Sequence, residues 1–272
     1  MQPKTVLLIS ALGSLVLGAV HSPSALGQTE AIERLRWPTE FTAPDLADRR
    51  RPDGRSRGGA SRGGCQLTDQ QPPLTALVPS MPQIVAPDEA EAATQSDLEE
   101  TVSEVVLSQT TQDRPGFWFY VPYTLDGDLP LEFVLQDGDG NTLYQTKFVS
   151  ETNDFGIVRI VLPETAPALE LAAPYRWFFM AYCDRNAPTF VEGWIERVEI
   201  AGAMQRQLDQ VPVSRQVALY AEQGIWQDAL DTLGVLYRQD PQTDALQADW
   251  VELLTSAGLE AVAAEDFVGD EP

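Results

Sequence analysis

Glu192, Trp194 and Glu196 stand at alternate positions in Phe-Val-Glu-Gly-Trp-Ile-Glu-Arg-Val, residues 190–198. Alternate residues of an extended strand share one side, so the two carboxylates would flank the indole. That arrangement suits sugar chemistry: one carboxyl acts as general acid, the other as base or nucleophile, and the ring stacks on the sugar. It equally suits a tryptophan packed at a sheet edge between solvated glutamates. Tyr220, Trp226 and Trp250, further along, are candidate contact residues on helical patterns. Asp137-Gly138-Asp139-Gly140-Asn141 imitates the first half of a calcium loop. Thr142 then stands where such a loop needs glycine, and Phe148 where it needs a bidentate glutamate. A hairpin turn is the expectation, and no metal site is assigned.

Several chemistries drop out. The sole histidine is His21, inside an N-terminal segment expected to be removed. Serine–histidine–aspartate and cysteine–histidine hydrolysis and histidine-ligated zinc therefore lack their imidazole. Two cysteines cannot build a four-sulfur site. No glycine-rich loop leads into Lys-Ser or Lys-Thr, so no phosphate cradle is expected. Beyond Lys4 the only lysine is Lys147, a poor basis for a serine–lysine pair. The chain is expected to be non-catalytic and to need no cofactor.

Charge and the first residues set the surroundings. Lys4 precedes an uncharged apolar run, Thr5–Val20, and Ala25-Leu26-Gly27 supplies the small residues of a cleavage site. Residues 1–27 thus have the three parts of a secretory signal peptide. The run is shorter than the roughly 20 residues of a spanning helix, so the processed chain is expected to be no integral membrane protein, and periplasmic or extracellular. Residues 1–64 hold nine basic and six acidic side chains, leaving nine basic against 35 acidic in the rest. Such a body repels nucleic acid. In an oxidising compartment Cys65 and Cys183 are expected to form a disulfide closing a long loop.

The elements that would position these residues change type along the chain. Residues 28–64, with their Arg/Gly/Ser tract, read as a disordered leader. Leu74–Pro79 reads as a short edge strand, and residues 85–100 as a variable acidic loop. Strand patterns follow at 117–121, 131–135, 142–149, 157–162, 175–183 and 190–200, with turn residues between them and no helical period. They predict an antiparallel immunoglobulin-like β-sandwich over residues 65–205. Leu169, Tyr175 and Trp177 resemble the tyrosine corner of such folds. Both faces of the aromatic strands are apolar, which predicts a strand buried between layers, with helices as the expected cover on one side.

From Val213 the period becomes helical. Val217, Tyr220, Ala221, Trp226, Ala229, Leu230 and Leu233 recur at helical spacing, with Gly224 and Pro241 as breaks. The spacing resembles one tetratricopeptide repeat and part of a second, over residues 206–266. A short acidic tail, 267–272, completes the chain.

Longer motifs carry a family resemblance. Leu-Thr-Ala-Leu-Val-Pro (74–79), Phe-Trp-Phe-Tyr-Val-Pro (117–122), Glu-Phe-Val-Leu-Gln-Asp (132–137), Tyr-Arg-Trp-Phe-Phe (175–179), Cys183-Asp184, the Trp194 motif and Gly-Ile-Trp-Gln-Asp-Ala-Leu (224–230) occur in that order. Over residues 60–265 the chain resembles the cyanobacterial domain-of-unknown-function family 928, which implies no activity and no catalytic residues. The functional expectation is a protein-interaction module of the cell envelope, its partner another envelope protein. The alternatives are a carbohydrate-binding module for a glycan and a carboxylate-dependent glycoside-active enzyme.

Overall fold

A strand that is apolar at every position must be covered on both sides. Gly116–Val121 is such a strand, and the fold is built around it. The structure, a computed structural model, describes residues 41–43, 54–58, 71–84, 102–123, 130–149, 155–182 and 188–271. All of these fall in one compact unit.

The elements run β1 (Thr75–Ala76), β2 (Ser80–Ile84), β3 (Val102–Thr110), β4 (Gly116–Val121), β5 (Leu131–Gln136), β6 (Thr142–Phe148), β7 (Gly156–Val161), β8 (Pro174–Ala181) and β9 (Thr189–Arg197). Four helices come next: α1 (Gly202–Leu208), α2 (Val213–Glu222), α3 (Trp226–Gln239) and α4 (Asp244–Ser256). A 3-10 turn (Glu260–Val262) leads into β10 (Phe267–Glu271). The strands form a four-stranded sheet, β1-β4-β7-β10, and a six-stranded sheet, β2-β3-β9-β8-β5-β6.

The two sheets meet through alternate residues. Phe117 and Phe119 of β4 point to the six-stranded sheet, where Phe119 stacks on Phe179 at 4.1 Å and Phe117 packs on Phe133 at 4.8 Å. Trp177 lies in the same layer with its indole over Gly193 on the neighbouring strand. A Cβ at Gly193 would collide with that ring. The opposite side of β4 carries Trp118 and Tyr120 and is covered by the helices. Trp118 packs on Trp250 and Phe267 at 5.8 and 5.6 Å, and its indole N–H donates to Asp231 at 2.9 Å. The ring lies flat against Gly234 of α3, where a Cβ would fall 2.6 Å from it. The order of layers is therefore six-stranded sheet, four-stranded sheet, helices.

Polar ties fix the helices to the strands. Asp231 takes both the Nε and an Nη donor of Arg159 on β7, at 2.7 and 2.9 Å. Asp228, in the first turn of α3, accepts from the Thr111 backbone N–H, the Thr111 hydroxyl and the Gln112 amide beyond β3. Burial pushes the Asp228 carboxyl above its ordinary pKa, against the downward pull of those donors. The Trp226 indole N–H donates to the Leu77 carbonyl at 2.8 Å, tying α3 to the segment after β1.

Three sequence expectations are corrected. The sheets are mixed, since β3 pairs parallel with β9 and β10 parallel with β7. Residues 267–271 form β10, returning to the four-stranded sheet, and are no mere tail. Within the expected leader, residues 54–58 are part of the fold. Arg55 exchanges two backbone hydrogen bonds with Glu192 on β9, while Ser56 and Gly58 bond to Ala76 and Leu74 at β1. This short segment bridges β9, ahead of its pairing with β3, and the edge strand β1, and its glycines have a steric reason: a Cβ at Gly54 would meet Val106, and one at Gly58 would meet Thr189. Phe41 also docks, with its ring edge on Trp226 at 5.0 Å. After the helices, which cover one side of the strands as expected, β10 returns the chain to the four-stranded sheet. Residues 85–100 and both cysteines lie outside the described residues.

Candidate interaction face

The remaining side of the six-stranded sheet, turned away from the core, brings functional side chains together in rows. Register places Gln136, Arg176 and Trp194 side by side, then Val134, Phe178 and Glu192, then Glu132, Met180 and Phe190. These are the alternate residues of β5, β8 and β9 whose neighbours Phe133, Trp177, Phe179 and Val191 fill the core. Phe178, Met180, Phe190 and Trp194 are half-buried. Leu107 stands opposite Trp194 on β3, and with Val105 it forms a small apolar cluster apart from the main core.

Cations and rings alternate on this face. An Arg176 Nη donates to the Glu192 carboxylate at 2.5 Å, and the guanidinium lies over Phe178 and Trp194 at 4.8 and 5.8 Å from their centroids. The Arg55 guanidinium lies 4.7 Å from the Phe190 ring centre, and the Lys147 ammonium 3.9 Å from that of Tyr182. Glu132, almost fully buried, accepts from Gln145 and from the Tyr182 hydroxyl, both at 2.5 Å, with Lys147 at 4.0 Å. The bond to Glu132 pushes the Tyr182 phenol up to about 12, with burial and the Glu132 charge adding to it. Tyr182 is therefore a protonated donor throughout the physiological range.

The expected sharing of one side by Glu192, Trp194 and Glu196 holds in the burial pattern of β9. The pairing of Glu192 with Arg176 was not legible, because strand-to-strand register is absent from a single strand's pattern. The same reason hid Arg55, Glu132, Phe178 and Tyr182. Tyr220, Trp226 and Trp250 are not on this face. All three are buried in the main core, Trp226 and Trp250 completely, so they pack the helices and offer no contact surface. The Asp137 loop is a hairpin turn: Asp137 accepts from the backbone N–H groups of Asp139 and Asn141 and from the Asn141 amide. Those bonds, the Asn141 side chain first, lower its carboxyl pKa. Among the described residues no group of three or more metal-ligating side chains gathers. No helix there is long and apolar enough to cross a membrane.

The Tyr175 hydroxyl accepts from the Glu170 backbone N–H at 2.8 Å, tying the start of β8 to the loop before it. Together the fold and face define a mostly β protein of two mixed sheets with a helical cover, presenting one aromatic, cation-studded sheet surface. The chain belongs to the family described as Domain of Unknown Function (DUF928), whose model matches residues 57–267. No curated protein and no solved structure matches it.

Proposed function

We propose that the protein is an exported, non-catalytic interaction module of the cell envelope, and that it docks another envelope protein through the outer face of its six-stranded sheet. The observation that carries this reading is charge. Among the described residues that face carries Arg55, Lys147 and Arg176 beside Glu132, Glu192 and Glu196, with ion pairs at Arg176–Glu192 and Lys147–Glu132, and so is balanced. The chain as a whole stands at −23. Another macromolecule meets least repulsion there, and half-buried aromatics with arginine are the side chains that dominate protein contacts.

The alternatives fare less well on the same geometry. The guanidinium of Arg176 lies over the ring that a glycan would need to stack on. Glu192 is held in an ion pair, a poor state for a general acid. Glycan binding nevertheless remains the reading to test beside protein contact.

The expected experiment is capture from the native envelope fraction by a tagged chain. Trp194→Asp removes the captured partner, whereas Glu192→Gln with Glu196→Gln keeps it. Loss of the partner in the double variant overturns apolar docking and favours the carboxylate-dependent readings.

Three finer structural readings belong here. Three features favour an immunoglobulin-like sandwich. The runs β1-β4-β7 and β3-β9-β8-β5-β6 alternate between the sheets as in that fold, β3 pairs parallel with the late strand β9, and the Tyr175 bond is a tyrosine corner. Helices α2 to α4 are likewise read as an incomplete tetratricopeptide-like repeat. A disulfide between Cys65 and Cys183, both outside the described residues, is a further reading that rests on export to an oxidising compartment. Equal masses after alkylation with and without prior reduction would remove it.

A further inference from the structure

The C-terminal ends of α2 and α4 each present one acceptor to the same short piece of chain. The Phe41 backbone N–H donates to the Ser256 hydroxyl oxygen at 3.0 Å, and the next N–H, of Thr42, donates to the Ala221 carbonyl at 3.1 Å. The Ser256 hydroxyl donates in turn to the Leu253 carbonyl at 2.7 Å, which leaves its lone pair directed at the incoming amide. Successive N–H groups of an extended chain point to opposite sides, so one amide serves each wall. The Phe41 ring sits edge-on against Trp226 at 5.0 Å, and Trp226 is itself anchored to Leu77. A rigid aromatic floor and one acceptor on each wall make a receptor for extended backbone with a phenyl anchor.

The receptor extends beyond what Phe41 uses. A hollow of about 660 Å³ opens at Ser256 along α4, lined by Asp244, Gln247, Ala248, Val251 and Glu252 among others. Val251 is 38 % exposed there, and among the described residues the lining holds two carboxylates and no basic side chain. Apolar side chains with local negative charge suit a cationic segment, and Arg34 and Arg36 precede Phe41 in the sequence.

We infer that the cleft between α2 and α4 is a docking site for an extended, cationic peptide segment anchored by phenylalanine, and that the chain closes it in cis with its own residues 41–43. The site is independent of the outer sheet face, so either can fail without the other.

A fluorophore-labelled peptide of residues 34–43, Arg-Leu-Arg-Trp-Pro-Thr-Glu-Phe-Thr-Ala, tests this by anisotropy against the full chain. Phe41→Ala empties the cleft of its own anchor and is expected to bind the peptide at least tenfold more tightly than the unsubstituted chain does. Thr42→Pro removes only the N–H directed at Ala221, leaves every cleft atom in place, and is expected to shift binding the same way. It serves as receptor should Phe41→Ala fail to fold. The peptide with alanine in place of its phenylalanine is expected not to bind. Equal affinity for substituted and unsubstituted chains, or no saturable binding to a folded variant, overturns the inference.

Discussion

Trp118 and Trp194 are both strand tryptophans with an arginine near the ring, yet they have opposite fates. The strand of Trp118 is central in the four-stranded sheet. Its indole is closed in by Trp250, Phe267 and Gly234, and its N–H is satisfied by Asp231. Trp194 is on the outer side of β9, half-buried beside Leu107 and Arg176. The residue type is the same; what differs is whether another layer lies on that side. A face covered by helices turns its aromatics into core. Among the described residues, a face without a helical layer leaves them half-buried at the surface.

This contrast can be broken or sharpened by measurement. The largest effect belongs to the covered face. Trp118→Ala is expected to destabilise the fold by about 3–5 kcal/mol, the range for deleting a buried aromatic side chain, read from urea unfolding. A loss below about 1 kcal/mol would mean that the helices do not depend on that ring.

Next comes the polar tie beside it. Asp231→Asn weakens the two-pronged contact with Arg159, whose side chain and that of Asp231 are 18 % and 25 % exposed. A loss of about 1–3 kcal/mol is expected, with Arg159→Leu and Asp231→Leu together less damaging than the two separate losses added.

A smaller, pH-dependent effect belongs to Asp228. Burial raises its folded pKa above the unfolded value, so the native chain holds that proton more tightly. The stabilising contribution is complete below the ordinary carboxylate pKa and is lost as pH rises through the raised one. Asp228→Asn cannot titrate, so its urea midpoint is expected to fall less than that of the unsubstituted chain from the carboxylate range up to neutrality. Parallel profiles would show that Asp228 does not titrate with folding.

The smallest stability change is expected on the open face. Trp194→Ala should change unfolding free energy by no more than about 1 kcal/mol while abolishing partner capture. A loss as large as that of Trp118→Ala would make Trp194 a core residue and remove the contrast.

Much of the strand and helix content was legible because it is local. The aromatic runs at 117–121 and 175–183, the turn at Asp137–Asn141 and the helical period from Val217 to Leu233 each carry their own pattern. The doubly apolar β4 even announced its two covering layers. β3 was missed because Val105, Val106 and Leu107 are apolar on both sides and show no alternation. β10 was missed because Phe267 and Val268 are followed by Gly-Asp-Glu, which reads as solvated chain. Residues 54–58 were missed because an Arg/Gly tract has almost no side-chain apolar area. It docks by backbone hydrogen bonds and close glycine approach, which composition does not report.

Sequence alone determined the chemistry available. It supplied a single histidine, His21, made the body acidic, set strand before helix, and put Glu192, Trp194 and Glu196 on one side of a strand. Only the tertiary structure decided which aromatics became core and which stayed at the surface, since that depends on layers contributed by residues a hundred positions away. It buried Trp226 and Trp250 and joined Arg176 to Glu192 through register. It also returned Phe41 to the cleft between α2 and α4. Side-chain type is inherited from the sequence, whereas burial follows from long-range packing that no local pattern encodes.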